Sequence, residues 1–187
     1  MKLIALIVLY AAAGQVLAQA SLSQLPASAK TAELTFSLPD IEALRYDSTY
    51  RDGFQPTDLR WRHRGGDFEL LARVIPETAD ASLAPHVLAG ATVVHCSSNA
   101  EEDYVGRFRG GTEDLRRLNA DWAYFWDYAP KPDFSSRRRC YQASYYRPGR
   151  GLVHVWLLYD DPAYLHSDWV YVLPFGDSDG SADTSPQ

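Results

Sequence analysis

The 187-residue chain predicts a mainly β domain, an antiparallel sheet or sandwich of about eight strands with two or three short helices. Three observations carry this expectation. Residues 139–146, 152–159 and 168–173 read as three strands in succession, parted by a turn containing Pro148 and Gly149 and by a loop opened by Asp160, Asp161 and Pro162. Residues 57–74 alternate apolar and polar on both sides of Gly65-Gly66, the pattern of a hairpin with one buried face. Residues 122–128 alternate too, with Trp122, Tyr124, Trp126 and Tyr128 on one side. The alternative is an α+β fold, with helices around 83–89 and 112–119 packed on one curved antiparallel sheet.

At the start of the chain, Lys2 precedes an apolar run over residues 3–13, and Ala18-Gln19-Ala20 supplies a small-x-small cleavage pattern. Residues 1–20 are therefore expected to be a signal peptide, with Ser21 as the mature N-terminus and the periplasm or the medium as destination. The run is too short to span about 30 Å of hydrocarbon, so no membrane attachment is expected after cleavage. Residues 21–30 read as a flexible lead-in and 31–175 as a single β-rich domain. Residues 176–187, with no aromatic and no large aliphatic side chain, read as a disordered tail.

Within the domain, Leu34, Phe36 and Leu38 alternate as a first strand that Pro39 ends, and residues 41–44 suit a short helical turn. Residues 47–56 are a polar loop. In the hairpin, Leu59, Trp61 and His63 share one face with Phe68, Leu70, Ala72 and Val74. Arg60, Arg62 and Arg64 lie on the other with Glu69, where they read as a solvated face with cross-strand ion pairs more than as an anion site. Residues 82–89 suggest a short helix with Pro85 in its first turn. Residues 92–96 read as a strand and 97–111 as a surface excursion. Thr112, the early acids Glu113 and Asp114, and the late arginines Arg116 and Arg117 mark another helix. Residues 152–159 are apolar on both faces apart from His154, which makes this the expected core strand.

The formal net charge is −6, and −7 once Lys2 is removed with the leader. A mildly acidic domain is a poor nucleic-acid binder, because phosphate neutralisation needs a basic surface. Arg137, Arg138 and Arg139 would alternate faces on a strand and form no single patch. In an exported protein the cysteine pair Cys96 and Cys140 is expected to form a disulfide. The five histidines, His63, His86, His95, His154 and His166, match no common zinc spacing, so neither metal nor cofactor is implied. There is no nucleophile elbow, no His-Glu-x-x-His and no phosphate loop.

Two functional classes follow. The first is an exported, non-enzymatic binding or interaction protein, a carbohydrate binder or an inhibitor of another secreted protein. Its ligand would be a small molecule, a glycan or a protein, held on the aromatic row Trp122, Tyr124, Trp126 and Tyr128. Such side chains offer a flat apolar face and a polar edge, although the same row also suits a core. The second is a small secreted hydrolase using acid-base chemistry from His154, His166, Asp168 and Glu69. The plainer reading makes His154 a hydrogen-bonded core histidine and Glu69 an ion-pair partner on the outer face. Whether the histidines converge with an acid decides between the two classes. The sequence does not set the oligomeric state.

Overall fold

A computed structural model describes residues 26–37, 43–47, 54, 56–77, 83–98, 106–165 and 168–176. The expected leader, the expected tail beyond Gly176, most of the expected 47–56 loop and His166 lie outside the described residues. The protein is mainly β, with one seven-stranded, wholly antiparallel sheet and a few short helices.

The strands are β1 (Leu44–Tyr46), β2 (Leu59–His63), β3 (Phe68–Pro76), β4 (Gly106–Arg109), β5 (Trp122–Tyr128), β6 (Arg139–Arg147) and β7 (Gly151–Tyr159). Their order across the sheet is β1-β2-β3-β7-β6-β5-β4. The expected core strand β7 is the fourth of the seven, and every one of its residues is buried. A strand with two covered faces has no need of alternation, which explains its nearly continuous apolar run. The 57–74 hairpin forms in the expected register, with Trp61 opposite Leu70 and Arg62 opposite Glu69. The strands read at 122–128, 139–146 and 152–159 pair as consecutive neighbours. Gly151 opens β7 at φ +122, and a Cβ there would stand 2.2 Å from the Ile75 carbonyl oxygen, so only glycine fits.

Among the described residues three helices flank the sheet: α1 (Ala27–Thr31), α2 (Pro85–Cys96) and α3 (Thr112–Leu118). One face of the sheet carries Phe68, Leu70, Ala72, Val74, Phe125, Tyr141, Tyr145, Val153, Val155 and Leu157. These pack with Ala29 of α1, Leu118 of α3 and the segment from Val170 to Phe175. The opposite face buries Leu71, Trp126, Tyr128, Cys140, Trp156 and Leu158 under Ala89, Val93 and Cys96 of α2, with Phe134 beside them. The layers are therefore helix and turn on both sides of one sheet, and no second sheet completes a sandwich among the described residues.

Several expectations are corrected. Residues 92–96 are not a strand but the second half of α2. Ala89, Val93 and Cys96 recur at helical spacing against Trp156 and Leu71, and this burial overrides the β preference of Thr92, Val93 and Val94. Within residues 97–111, Gly106–Arg109 is the edge strand β4. Residues 168–171 form a 3₁₀ turn, not a strand. Leu34 bridges Phe175, and Thr35 and Ser37 donate to the carbonyls of Pro174 and Val172, so the described part of the expected first strand pairs with the C-terminal segment and not with the seven-stranded sheet. Leu44, expected in a helical turn, begins β1. The described end of the lead-in is helical, with Ala29 buried in the core. Cys96 and Cys140 are both buried and are not joined in a disulfide. They lie in one apolar cluster, where burial pushes the Cys140 thiol well above its ordinary range and keeps it protonated.

Candidate functional site

Strand register places side chains of the α2-bearing face in rows across the sheet. One row runs Arg109, Tyr124, Ser144, His154, Arg73, from β4 through β5, β6 and β7 to β3. The next row on one side is Trp122, Tyr146, Leu152, Ile75. On the other side lies Arg107, Trp126, Gln142, Trp156, Leu71. The last of these rows packs under α2, whose buried residues share a cluster with Leu71, Trp126 and Trp156.

The aromatic row of β5 is thus one face, as its alternation implies, but its members divide. Trp126 and Tyr128 are 5% and 0% exposed and belong to the core beneath α2. Trp122 and Tyr124 are half-buried, at the end of the face beyond it. Trp122 stacks on Tyr146 with ring centroids 5.8 Å apart, and Tyr124 lies between Trp122 and Trp126 at 5.6 and 5.8 Å. The Arg107 guanidinium sits 4.2 Å above the Tyr124 ring, a cation–π contact from the exposed edge strand. Glu77 accepts from the Tyr146 hydroxyl at 2.9 Å and so fixes that ring.

Under this platform runs a sealed polar network. The Tyr128 hydroxyl and the Trp156 indole N–H both donate to Gln142 Oε1, at 2.6 and 2.9 Å. Two donors on one oxygen settle the amide orientation, so Gln142 Nε2 donates to Ser144 Oγ at 3.0 Å. The Ser144 hydroxyl is left to donate to His154 Nδ1, 2.7 Å away. The imidazole proton therefore resides on Nε2, which has no hydrogen-bond partner among the described residues. Gln142, Ser144 and His154 are each 0% exposed. Burial, with a smaller contribution from the Arg73 charge, lowers the His154 pKa from 6.5 to about 3, so the ring is neutral.

Arg73 stands directly across from His154 in the β3–β7 register and is half-buried. Among the described residues its guanidinium meets no carboxylate and no other acceptor, whereas Arg60 pairs with Glu69, Arg117 with Asp168 and Arg139 with Asp127.

Of the acid-base candidates, His154, Glu69 and Asp168 are described and lie apart, while His166 lies outside the described residues. Glu69 is four residues along β3 from Arg73, about 13 Å at strand rise, and is held by Arg60 with Arg137 at 3.9 Å. Asp168 pairs with Arg117 of α3 at 2.7 Å, on the far side of the sheet. His154 is the expected core histidine, but its partner is the Ser144 side chain and not the backbone. Among the described residues no carboxylate stands behind the Ser144–His154 pair, the pair is closed to solvent, and a ring with a pKa of about 3 is a weak base. Among the described residues no group of three or more His, Cys, Asp or Glu is placed to hold a metal.

Sequence reading missed Arg73, Ser144, Gln142 and Tyr146. Each alternates out of an apolar strand and looks like an ordinary outward residue until the register aligns it with its neighbours. The one available signal was His154 in an otherwise apolar run. No family model, no curated protein and no solved structure matches this chain.

Proposed function

We propose that this is an exported binding protein without catalytic activity, whose ligand docks on the outer end of the α2-bearing face. One observation carries the reading: Trp122, Tyr124 and Tyr146 form a contiguous half-buried aromatic surface, bordered by the exposed Arg107 and Arg109. Rigid aromatic rings contribute contact area at low rotamer cost and take up sugar rings or flat side chains. The separation of His154, Glu69 and Asp168 weighs against the hydrolase. Export is supported by Lys2, the apolar run that follows and the Ala18-Gln19-Ala20 pattern.

A glycan array probed with the mature protein, beside a pull-down from culture medium, tests this reading. Trp122→Ala and Tyr124→Ala should each weaken the captured interaction about thirtyfold, the scale of an aromatic hot spot. Capture undiminished in both folded variants would place the ligand elsewhere. Mass spectrometry of exported material should find Ser21 at the N-terminus.

A further inference from the structure

Two hydrogen-bond donors stand in register on the central strands with no acceptor among the described residues. His154 Nε2–H is one, on a fully buried ring whose tautomer is set by the chain from Gln142 through Ser144. Arg73 is the other, one strand away in the same row. A buried donor left without an acceptor is destabilising, and natural cores rarely retain one without a reason. Nδ1 is engaged toward β6, so Nε2, at the far side of the ring, points away from Ser144.

We infer that Arg73 and His154 form an acid-binding subsite, and that the ligand on the aromatic surface is an acidic carbohydrate carrying a ring carboxylate. This deepens the binding reading above and rests on it. The carboxylate pairs with the Arg73 guanidinium, which can offer two parallel N–H donors. One carboxylate oxygen then takes the His154 Nε2–H as the side chains above it part, since the ring is closed to solvent until then. Neutral imidazole suits this role, because it donates a hydrogen bond at physiological pH without needing a proton from solution. The dimensions agree. Neighbouring strands lie about 4.8 Å apart, so Tyr124 and Arg73, three strands apart in one row, are separated by about 14 Å. That is the span of two to three sugar rings, with one ring on Trp122 and Tyr124 and an acid at the far end. Arg109, at the other end of the row, adds to the positive potential of this face on a chain whose net charge is −6.

The test uses trigalacturonate and its fully methyl-esterified form, titrated calorimetrically into the mature protein. The ester keeps the rings and removes the charges. The acid should bind at least tenfold more tightly than the ester. Arg73→Gln should weaken the acid about tenfold, the scale of a charge-assisted hydrogen bond, and leave the ester unchanged. Arg73 is half-buried and has no polar partner to strand among the described residues, so the variant should melt with the wild type. His154→Phe supplies a second arm by removing the N–H. Equal affinity for acid and ester, equal weakening of both by Arg73→Gln, or no binding of either probe would overturn the subsite. If Tyr124→Ala binds the acid normally while Arg73→Gln does not, the subsite stands and the aromatic docking surface falls.

Discussion

Ser144 Oγ lies 2.7 Å from His154 Nδ1 across β6 and β7, with both side chains closed to solvent. The hydroxyl is the hydrogen-bonded bridge between the amide of Gln142 and the imidazole. Removing it strands a buried donor and a buried acceptor at once. Ser144→Ala should therefore destabilise the protein by about 2 kcal/mol. Urea unfolding measures this, and a change within error of zero would mean that other groups satisfy the network.

The state of His154 ties stability to pH. Its pKa is about 3 in the folded protein against 6.5 for an unperturbed ring, so below pH 6.5 the unfolded chain takes up a proton that the native state refuses. This residue's contribution is complete above pH 6.5 and is lost as the pH falls toward about 3. The slope approaches about 1.4 kcal/mol per pH unit inside that window. Between pH 6.5 and 5 carboxylates titrate little, and the other four histidines are common to both proteins, so the difference between wild type and His154→Asn isolates this ring. Over that interval the wild type should lose about 2 kcal/mol, while His154→Asn should lose much less. Parallel pH profiles for the two proteins would show that the native ring is protonated more easily than its burial implies.

The central architecture was legible before the structure because it rests on local pattern. Residues 152–159 could be apolar on both faces only in a doubly covered strand, and Gly65-Gly66 joined two segments of matched alternation. What was not legible depended on packing between distant segments. Residues 92–96 have the composition of a strand, yet Val93 and Cys96 meet Trp156 only from a helix. The site shows the same division. The alternation at 122–128 gave the shared face, but which rings stay half-exposed depends on where α2 lies. The pairing of Arg73 with His154 is a matter of register between strands about eighty residues apart in sequence, beyond the reach of local periodicity.

Gly151 offers a test of that register. A Cβ at this position would lie 2.2 Å from the Ile75 carbonyl oxygen and 2.8 Å from Pro76 Cα, at a φ of +122 that side chains rarely adopt. Gly151→Ala must therefore shift the β3–β7 junction and should cost about 3 kcal/mol or more, adding backbone strain to overpacking. For a domain of this size that lowers the melting temperature by roughly 6–12 °C. A melt within 2 °C of the wild type would indicate that the two strands do not approach so closely.

The thiols give a chemical check on the core beneath α2. Cys96 and Cys140 are fully buried and not bridged, and burial holds the Cys140 thiol far above the range in which it would be a thiolate. A thiol-specific alkylating reagent should leave the native protein unmodified and add two labels after denaturation without reductant. Two labels that appear only when reductant is present would restore the disulfide that the two-cysteine composition first suggested.

Trp122 and Trp126 each sit two residues from Tyr124, on the same face of the same strand, and should respond to the same substitution in opposite ways. Trp126 is 5% exposed and packs in the cluster with Trp156, Tyr128 and Phe134. Trp126→Ala should cost about 3–5 kcal/mol of stability, the range for a large aromatic removed from a core, with ligand binding lost only as the fold is lost. Trp122 is half-buried and stacks on Tyr146 at the open end of the face. Trp122→Ala should cost about 1 kcal/mol of stability, the scale of an aromatic pair, but about 2 kcal/mol of binding. Thermal melts and titrations of the two variants, run side by side, separate these roles. If Trp122→Ala unfolds as readily as Trp126→Ala, this end of the face is core as well, and the aromatic surface cannot serve as a docking platform.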